Sequence, residues 1–526
     1  MATSETNVWA AEIAALEKSW AADPRWAFTQ RPFTAKDVVS LRGTLTAAFK
    51  PKSAFTAAKL YAMCRSKFER GEFAHTFGAL DPVQVIQMAK YLECVYVSGW
   101  QCSSTASTTN DPGPDFADYP ANTVPNKVDQ LFKAQLFHDR KQRQERMGMS
   151  EAERKATPII DYQRPIIADG DTGFGGMTSV MKLIKLQIEA GAAGVHLEDQ
   201  LGGAKKCGHM GGKVLVPVRE HFDRLSAARL QADVMGAPTV LIARTDAGSA
   251  TFLSNNIDPR DHPYIAGATN ASVGSLEDAK NKQGWLSEAK LMRYSDAVAE
   301  AMKKAREPSS KIQQWMADSM AMSHPDARAL AGKLGYSGVF FDWDAPRSRE
   351  GFYRVIGGVD YCAMRAIAFS PVADLIWMET ATPNVQVCRD FASIVHASKP
   401  HQMLAYNLSP SFNWDAAGMN DDAIQRFQGE IGRLGFTWHF ITLAGFHTNA
   451  LAIDSFAKAY AGPKKVLSYV QMIQREERRL GVETLTHQKW SGAPFCDAML
   501  SIATAGGAST SASHGSTEDQ FGKSKL

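Results

Sequence analysis

Nine consecutive residues, Lys205-Lys206-Cys207-Gly208-His209-Met210-Gly211-Gly212-Lys213, hold a thiol, an imidazole and three ammonium groups among three glycines. A core segment does not carry that many charges, and a routine surface loop has little use for so many glycines. Glycine lets a backbone move and approach a ligand closely. Clustered cations attract an anion and lower the pKa of a neighbouring thiol. The stretch therefore reads as a mobile catalytic loop for an anionic substrate, with Cys207 as a nucleophile or a proton donor. A cysteine-protease arrangement needs a separately held His and Asn or Asp, and His209 is too close in sequence to guarantee that geometry. Zinc on Cys207 and His209 lacks two further ligands at a usual spacing. General acid–base work on carbon is the better reading, and three adjacent lysines argue against a buried, inert cysteine.

The remaining candidates close short apolar runs. Asp169 and Asp171 end one, Glu198 and Asp199 the next, Asp246 another and Glu379 a later one. Taken singly, each reads best as a helix cap or a partner of Lys or Arg. As a set, neighbouring carboxylates repel and favour a bound cation. With oxygen donors alone, that cation is Mg²⁺ or Mn²⁺ rather than zinc. Arg244 offers a bidentate fork for a carboxylate. Asn407, Ser409, Ser411 and Thr442 are neutral donors suited to an oxygen whose charge changes during reaction. The stretch Asp169-Gly-Asp-Thr-Gly-Phe-Gly-Gly176 matches neither phosphate-loop nor dinucleotide spacing. It suits a tight turn at a metal.

These residues sit in a regular rhythm. Eight apolar runs end in polar residues: 74–81, 94–100, 165–171, 194–199, 240–246, 374–380, 403–409 and 439–444. Most are followed by helix-period segments, such as Met177–Ala190 with Val180, Ile184 and Ile188 on one face and Gly191 after it. Asp81-Pro82 opens one helix and Pro217 another, which Gly236 closes. Alternating strands and helices imply a parallel sheet, and eight units predict an α/β fold, a (β/α)8 barrel of TIM type. Its strand-end side chains converge on one mouth. A ninth run, Gly338–Asp344, follows a long charged helical stretch, and residues 267–347 are assigned to a largely helical insertion domain. The catalytic barrel is then 73–266 with 348–500. Residues 1–72 form an N-terminal helical extension, with Trp9, Ile13, Leu16 and Trp20 on one face. Residues 501–526 form a tail rich in Ala, Gly, Ser and Thr.

Of 526 residues, 44% are apolar and 21% charged, ordinary for a globular protein, and the net charge is only +3. With no basic block, nucleic-acid binding is not expected. Seven cysteines without a CxxC pair fit free thiols in a reducing compartment. No apolar run approaches the roughly 20 residues of a membrane span. The chain closes on Ser524-Lys525-Leu526, a peroxisomal address read by an import receptor.

Lys205-Lys-Cys-Gly-His-Met210, together with Ser98-Gly-Trp100, His196-Leu-Glu-Asp-Gln200, Ala243-Arg-Thr-Asp246, Trp377-Met-Glu-Thr380, Asn407–Trp414 and Thr442-Leu-Ala-Gly445, resembles the isocitrate lyase family. The resemblance covers essentially the whole chain, in the longer eukaryotic-type form. It implies Mg²⁺-dependent retro-aldol cleavage of isocitrate to glyoxylate and succinate in the glyoxylate cycle, by a homotetramer in peroxisomes or glyoxysomes. By position it makes Asp169 the direct metal ligand, with Asp115, Asp171 and Glu198 acting through water. It gives Ser98, Gly99, Trp100 and Arg244 the glyoxylate part. Asn407, Ser409, Ser411 and Thr442, with Gly208 and His209, take the succinate part, and Glu379 joins the substrate site. Cys207 protonates the carbanion, and the 501–526 tail folds over the loop as a lid. The resemblance leaves open which group takes the hydroxyl proton. A 2-methylisocitrate lyase uses the same site with one more methyl group, worth only about 1–3 kcal/mol of discrimination. A silent organic-acid-binding paralogue is the remaining alternative.

Overall fold

The structure is a computed structural model describing residues 5–44, 50–107, 111–513 and 515–523. The Ser524-Lys525-Leu526 tripeptide lies outside the described residues. Contacts divide the chain into two compact units. One holds 1–80, 92–132 and 164–443, and the other holds 81–91, 133–163 and 444–526.

The first unit is built on eight parallel strands: β1 Ala74–Phe77, β2 Val95–Val97, β3 Ile166–Asp169, β4 Gly194–Glu198, β5 Val240–Thr245, β6 Leu375–Met378, β7 Met403–Asn407 and β8 Phe436–Ile441. Their order is β1-β8-β7-β6-β5-β4-β3-β2. Gly78 bridges to Tyr96 across the remaining gap, where the Ala79 N–H donates to the Tyr96 carbonyl at 3.0 Å. The barrel is thus almost closed. Each of the eight expected runs supplies one strand, although β8 starts three residues before His439. The ninth run forms no strand. Phe341 at its centre is buried against Tyr294, Val298 and Met302 of a helical cluster, so its side chain has a core other than the sheet. A second small cluster packs Ala268, Leu276, Trp285, Ala289 and Ala345 together.

Inside the barrel, Tyr96, Ile167, Ile242, Trp377, Trp438 and Phe440 form one buried cluster, and Trp438 stacks on Phe440 at 4.1 Å. Each such side chain contributes roughly 1.5–3 kcal/mol of burial. Leu60, Tyr61 and Cys64 of the helix Ser53–Arg70 join the same cluster. Arg25 of the N-terminal segment pairs with Asp374, the residue before β6, at 2.7 Å. The N-terminal ends of the strands are therefore closed by packing and ion pairs, and the opposite ends are left for chemistry.

Helix punctuation follows the local signals. Helix Met177–Ala190 ends on Gly191 at φ 114, and Gly236 follows helix Val218–Val234 at φ 65. In the second unit, the Asp81 carboxylate accepts from the Gln84 N–H at 2.9 Å to cap helix Pro82–Met88. That unit also contains helices Ala444–Ala461 and Ala493–Ala503, which leave Leu451, Ile453, Tyr460, Met499, Leu500 and Ile502 exposed. No helix among the described residues is long and apolar enough to cross a membrane.

Candidate active site

Three carboxylates meet at the C-terminal mouth of the barrel. Asp169 ends β3, Asp171 follows in the turn, and Asp115 comes from the loop before helix Thr123–Gly148. One oxygen from each lies within 4.8 Å of the others, and all three residues are buried. Asp115 and Asp171 hold left-handed backbone, at φ 58 and 47. That conformation costs a non-glycine residue roughly 1–3 kcal/mol and persists where the surroundings enforce it. Asp169 accepts from the Gly99 N–H at 3.0 Å and from the Asp171 N–H at 2.9 Å. The Tyr96 hydroxyl touches both Asp169, at 3.3 Å, and the His196 ring, at 3.0 Å. Tyr119 donates to Asp171. Burial lowers His196 to about 4 and keeps it neutral. Burial, reinforced by the Asp115 and Asp169 carboxylates, pushes Asp171 up to about 8 despite Lys205.

Three buried carboxylates this close cannot all ionise against one lysine, hence the raised Asp171, and their donors are all oxygen. This set fits a hard divalent cation. Lys205 supplies the built-in counter-charge. It is 2% exposed, and its ammonium lies 2.7 Å from both Asp115 and Asp171 and 3.8 Å from Glu198.

A second set of charges adjoins the first. Arg244, near the end of β5, is held by Asp246 at 3.0 and 3.1 Å and by Glu198 at 3.0 Å, and lies 4.4 Å over the Trp377 ring. Its remaining contact is Glu379, at 3.6 Å. Asn407 donates to Glu379 at 3.3 and 3.4 Å, while its buried carbonyl oxygen has no partner. His209 reaches the Thr380 carbonyl through Nε2 at 3.0 Å and the Ser409 hydroxyl through Nδ1 at 3.3 Å. The carbonyl can only accept, so Nε2 carries a proton.

The loop is seated on this floor. A Cβ placed on Gly208 would fall 2.6 Å from Arg244 Nη2 and 2.9 Å from Glu379 Cγ and Cδ, so only glycine lets the backbone come so close. Burial and the Asp115 carboxylate raise the Cys207 thiol above its ordinary range, against the weaker pull of Arg244 and Lys205. This corrects the expectation that adjacent lysines activate the thiol. The Lys205 ammonium is engaged by Asp115 and Asp171, and that of Lys213 by Asp246 at 2.9 Å. Cys207 is protonated at neutral pH, the state a proton donor needs.

The structure thus brings together Asp115, Asp169, Asp171 and Glu198, and beside them Gly99, Arg244, Glu379, Asn407, Ser409, Gly208 and His209. The other expected residues are engaged differently. The Ser98 hydroxyl accepts from the Gln101 N–H at 3.3 Å, capping helix Gly99–Thr105. Trp100 is half-buried within that helix, and Thr442 is half-buried just after β8. Ser411 is exposed, and its N–H donates to Ser409 Oγ at 3.1 Å. Among the strand-end carboxylates, Asp199 and Asp246 are paired structurally: Asp199 with Arg365 at 3.0 Å, Asp246 with Lys213 and Arg244. Sequence reasoning missed Tyr96, Tyr119 and His196 as supports of the acidic triad. The apolar run containing Tyr96 and the position of His196 two residues before Glu198 were the available signals.

A (β/α)8 barrel with an acidic cation cradle, a carboxylate-binding arginine and a cysteine on a glycine-rich loop defines a class of enzyme acting on anionic carbon acids. The isocitrate lyase family profile matches residues 12–521, and the chain belongs to that family. An isocitrate lyase of Oryza sativa subsp. japonica is 52% identical, over 98% of this chain and 94% of its own. One of Saccharomyces cerevisiae is 46% identical, over 97% and 95%. A mitochondrial 2-methylisocitrate lyase of Hypocrea atroviridis is also similar, at 44% identity over 98% and 95%.

Proposed function

We propose that this chain is an isocitrate lyase that cleaves isocitrate to glyoxylate and succinate by a metal-dependent retro-aldol reaction. The observation that carries the reading is the protonated Cys207 on a loop seated against Arg244 and Glu379, beside three buried carboxylates. Asp169 would hold the cation, Mg²⁺ or Mn²⁺, with Asp115, Asp171 and Glu198 supporting it. When bound, the cation draws negative charge from the substrate oxygens near the bond that breaks.

The substrate hydroxyl passes its proton to a general base at the barrel mouth, its oxygen becomes the glyoxylate carbonyl, and the C–C electron pair passes to the succinate carbon. Arg244, braced on Asp246 and Glu198, binds the glyoxylate carboxylate, with Gly99 and the Ser98 and Trp100 backbone nearby. Asn407, Ser409, Ser411 and Thr442, with the Gly208–His209 segment, hold the succinate end and stabilise the developing charge. Cys207 then delivers its proton to that carbon. The seated loop excludes water, which would otherwise compete for the carbanion.

Glyoxylate release from isocitrate and pyruvate release from 2-methylisocitrate, each with and without EDTA, test the proposal. Loss of isocitrate cleavage with EDTA and its return with MgCl₂ are expected. Faster turnover of the methylated substrate would make the chain a 2-methylisocitrate lyase instead. The exposed apolar residues on helices Ala444–Ala461 and Ala493–Ala503 support a homotetramer, testable by light scattering. Ser524-Lys525-Leu526 supports peroxisomal delivery. A fluorescent fusion lacking that tripeptide should spread through the cytosol.

A further inference from the structure

We propose that Lys213 is a positioning residue whose ammonium latches the catalytic loop shut by holding the Gly208 carbonyl against Asp246. Lys213 is the last residue of the loop, yet it is fully buried. Its backbone is fixed to the scaffold, because its carbonyl accepts from the Thr251 and Phe252 N–H groups at 3.1 Å each. The following pair, Val214–Leu215, is a short strand alongside Phe252–Leu253. Its side chain turns back into the loop, and Nζ donates to the Gly208 carbonyl at 2.6 Å and to Asp246 Oδ1 at 2.9 Å. One residue therefore joins the immobile base of the loop to the segment that must come down.

Asp246 is a rigid anchor for this latch. Its N–H donates to Asp199 at 2.9 Å, and Asp199 is paired with the buried Arg365. The same Asp246 carboxylate orients Arg244. Lys213 and Arg244 thus share one carboxylate, and lifting Gly208 away would leave the buried ammonium with a carboxylate that Arg244 already occupies. A buried cation is destabilised by losing an acceptor, so the closed loop is favoured without any contact to substrate.

This latch deepens the proposed loop chemistry and rests on it, but one of its tests is independent of any substrate. The two readouts are alkylation of Cys207 by iodoacetamide in plain buffer, mapped by mass spectrometry, and steady-state cleavage of isocitrate. In Lys213→Met, Cys207 alkylation should accelerate roughly 10-fold or more, and kcat should fall roughly 10–100-fold with KM changed much less, the range of one charge-assisted hydrogen bond. In Lys213→Ala, ethylammonium should restore part of kcat saturably, and 1-propanol should not. If the apolar variant does not fold, Lys213→Gln, which removes the charge but keeps a polar side chain, is read in the same way. Wild-type alkylation rates in these variants, or activity loss accompanied by a matching fall in Tm and no amine rescue, would overturn the latch. Failure of the wild type to cleave isocitrate would overturn the substrate reading alone, since the alkylation ratio stands without it.

Discussion

Gly208→Ala isolates loop closure from folding. Gly208 does not occupy the left-handed backbone region, so alanine carries no conformational strain there. The added Cβ nevertheless meets Arg244 Nη2 at 2.6 Å, about 0.8 Å inside the 3.4 Å of ordinary contact, and Glu379 at 2.9 Å. Arg244 cannot give way easily. It is held at 3.0–3.1 Å by Asp246 and Glu198 and lies over Trp377. The loop must lift instead. Overpacking of this kind costs about 1–3 kcal/mol, which corresponds to roughly 5–150-fold in rate. Displacing a reacting group by about 1 Å has an effect of similar size. The expected result is a kcat for isocitrate cleavage reduced about 10–100-fold, with a Tm lowered only slightly, because lifting the loop gives up its local contacts and leaves the barrel intact. Wild-type kcat would refute the closure argument. A Tm reduced by several degrees would show that Gly208 serves packing rather than closure.

Gly99→Ala should act on the cation site, since its Cβ would lie 2.6 Å from Tyr119 Oη and 2.8 Å from Asp169 Oδ2. Half-activation by MgCl₂ should require roughly 10–100-fold more metal, as for other supports of a metal ligand; an unchanged titration would show that Asp169 is not the principal ligand. Cys207→Ser should lower kcat about 10²–10⁴-fold, the usual contribution of a positioned proton donor, and full activity would remove that role. Asp374 makes a pH prediction. Burial raises its carboxyl, but Arg229 and Arg25 outweigh burial and hold it at about 2, below the ordinary 3.8. A depressed carboxyl stabilises fully above its unfolded value and loses that contribution as pH falls, here between about pH 4 and 2, by roughly 2 kcal/mol. The urea midpoint should drop across that window more steeply in the wild type than in Asp374→Asn, which is already destabilised at pH 7 by two unpaired buried guanidinium groups. Parallel curves would contradict the assignment.

The sequence by itself determined the barrel and most of its mouth. Each strand is a short apolar run ending in a polar residue, and that alternation is local, so Asp169, Glu198, Arg244, Glu379 and Asn407 could be read as strand-end groups without coordinates. The unusual composition of 205–213 likewise marked the loop. Glycine, cation and thiol are properties of residue type. Charge states and partners were decided by tertiary structure. Lys205 and Lys213 look alike in the sequence as anion attractors, yet one neutralises Asp115 and Asp171 and the other holds Asp246 and the Gly208 carbonyl. Asp199 and Asp169 both lie at strand ends, but Asp199 is spent on Arg365, 166 residues away in the chain. Whether Cys207 is activated or kept protonated depends on burial and on the distance to Asp115. Residue type sets which charges are available. Their separation and their exclusion from water exist only once distant segments have packed together, and those two quantities set every electrostatic interaction in this site.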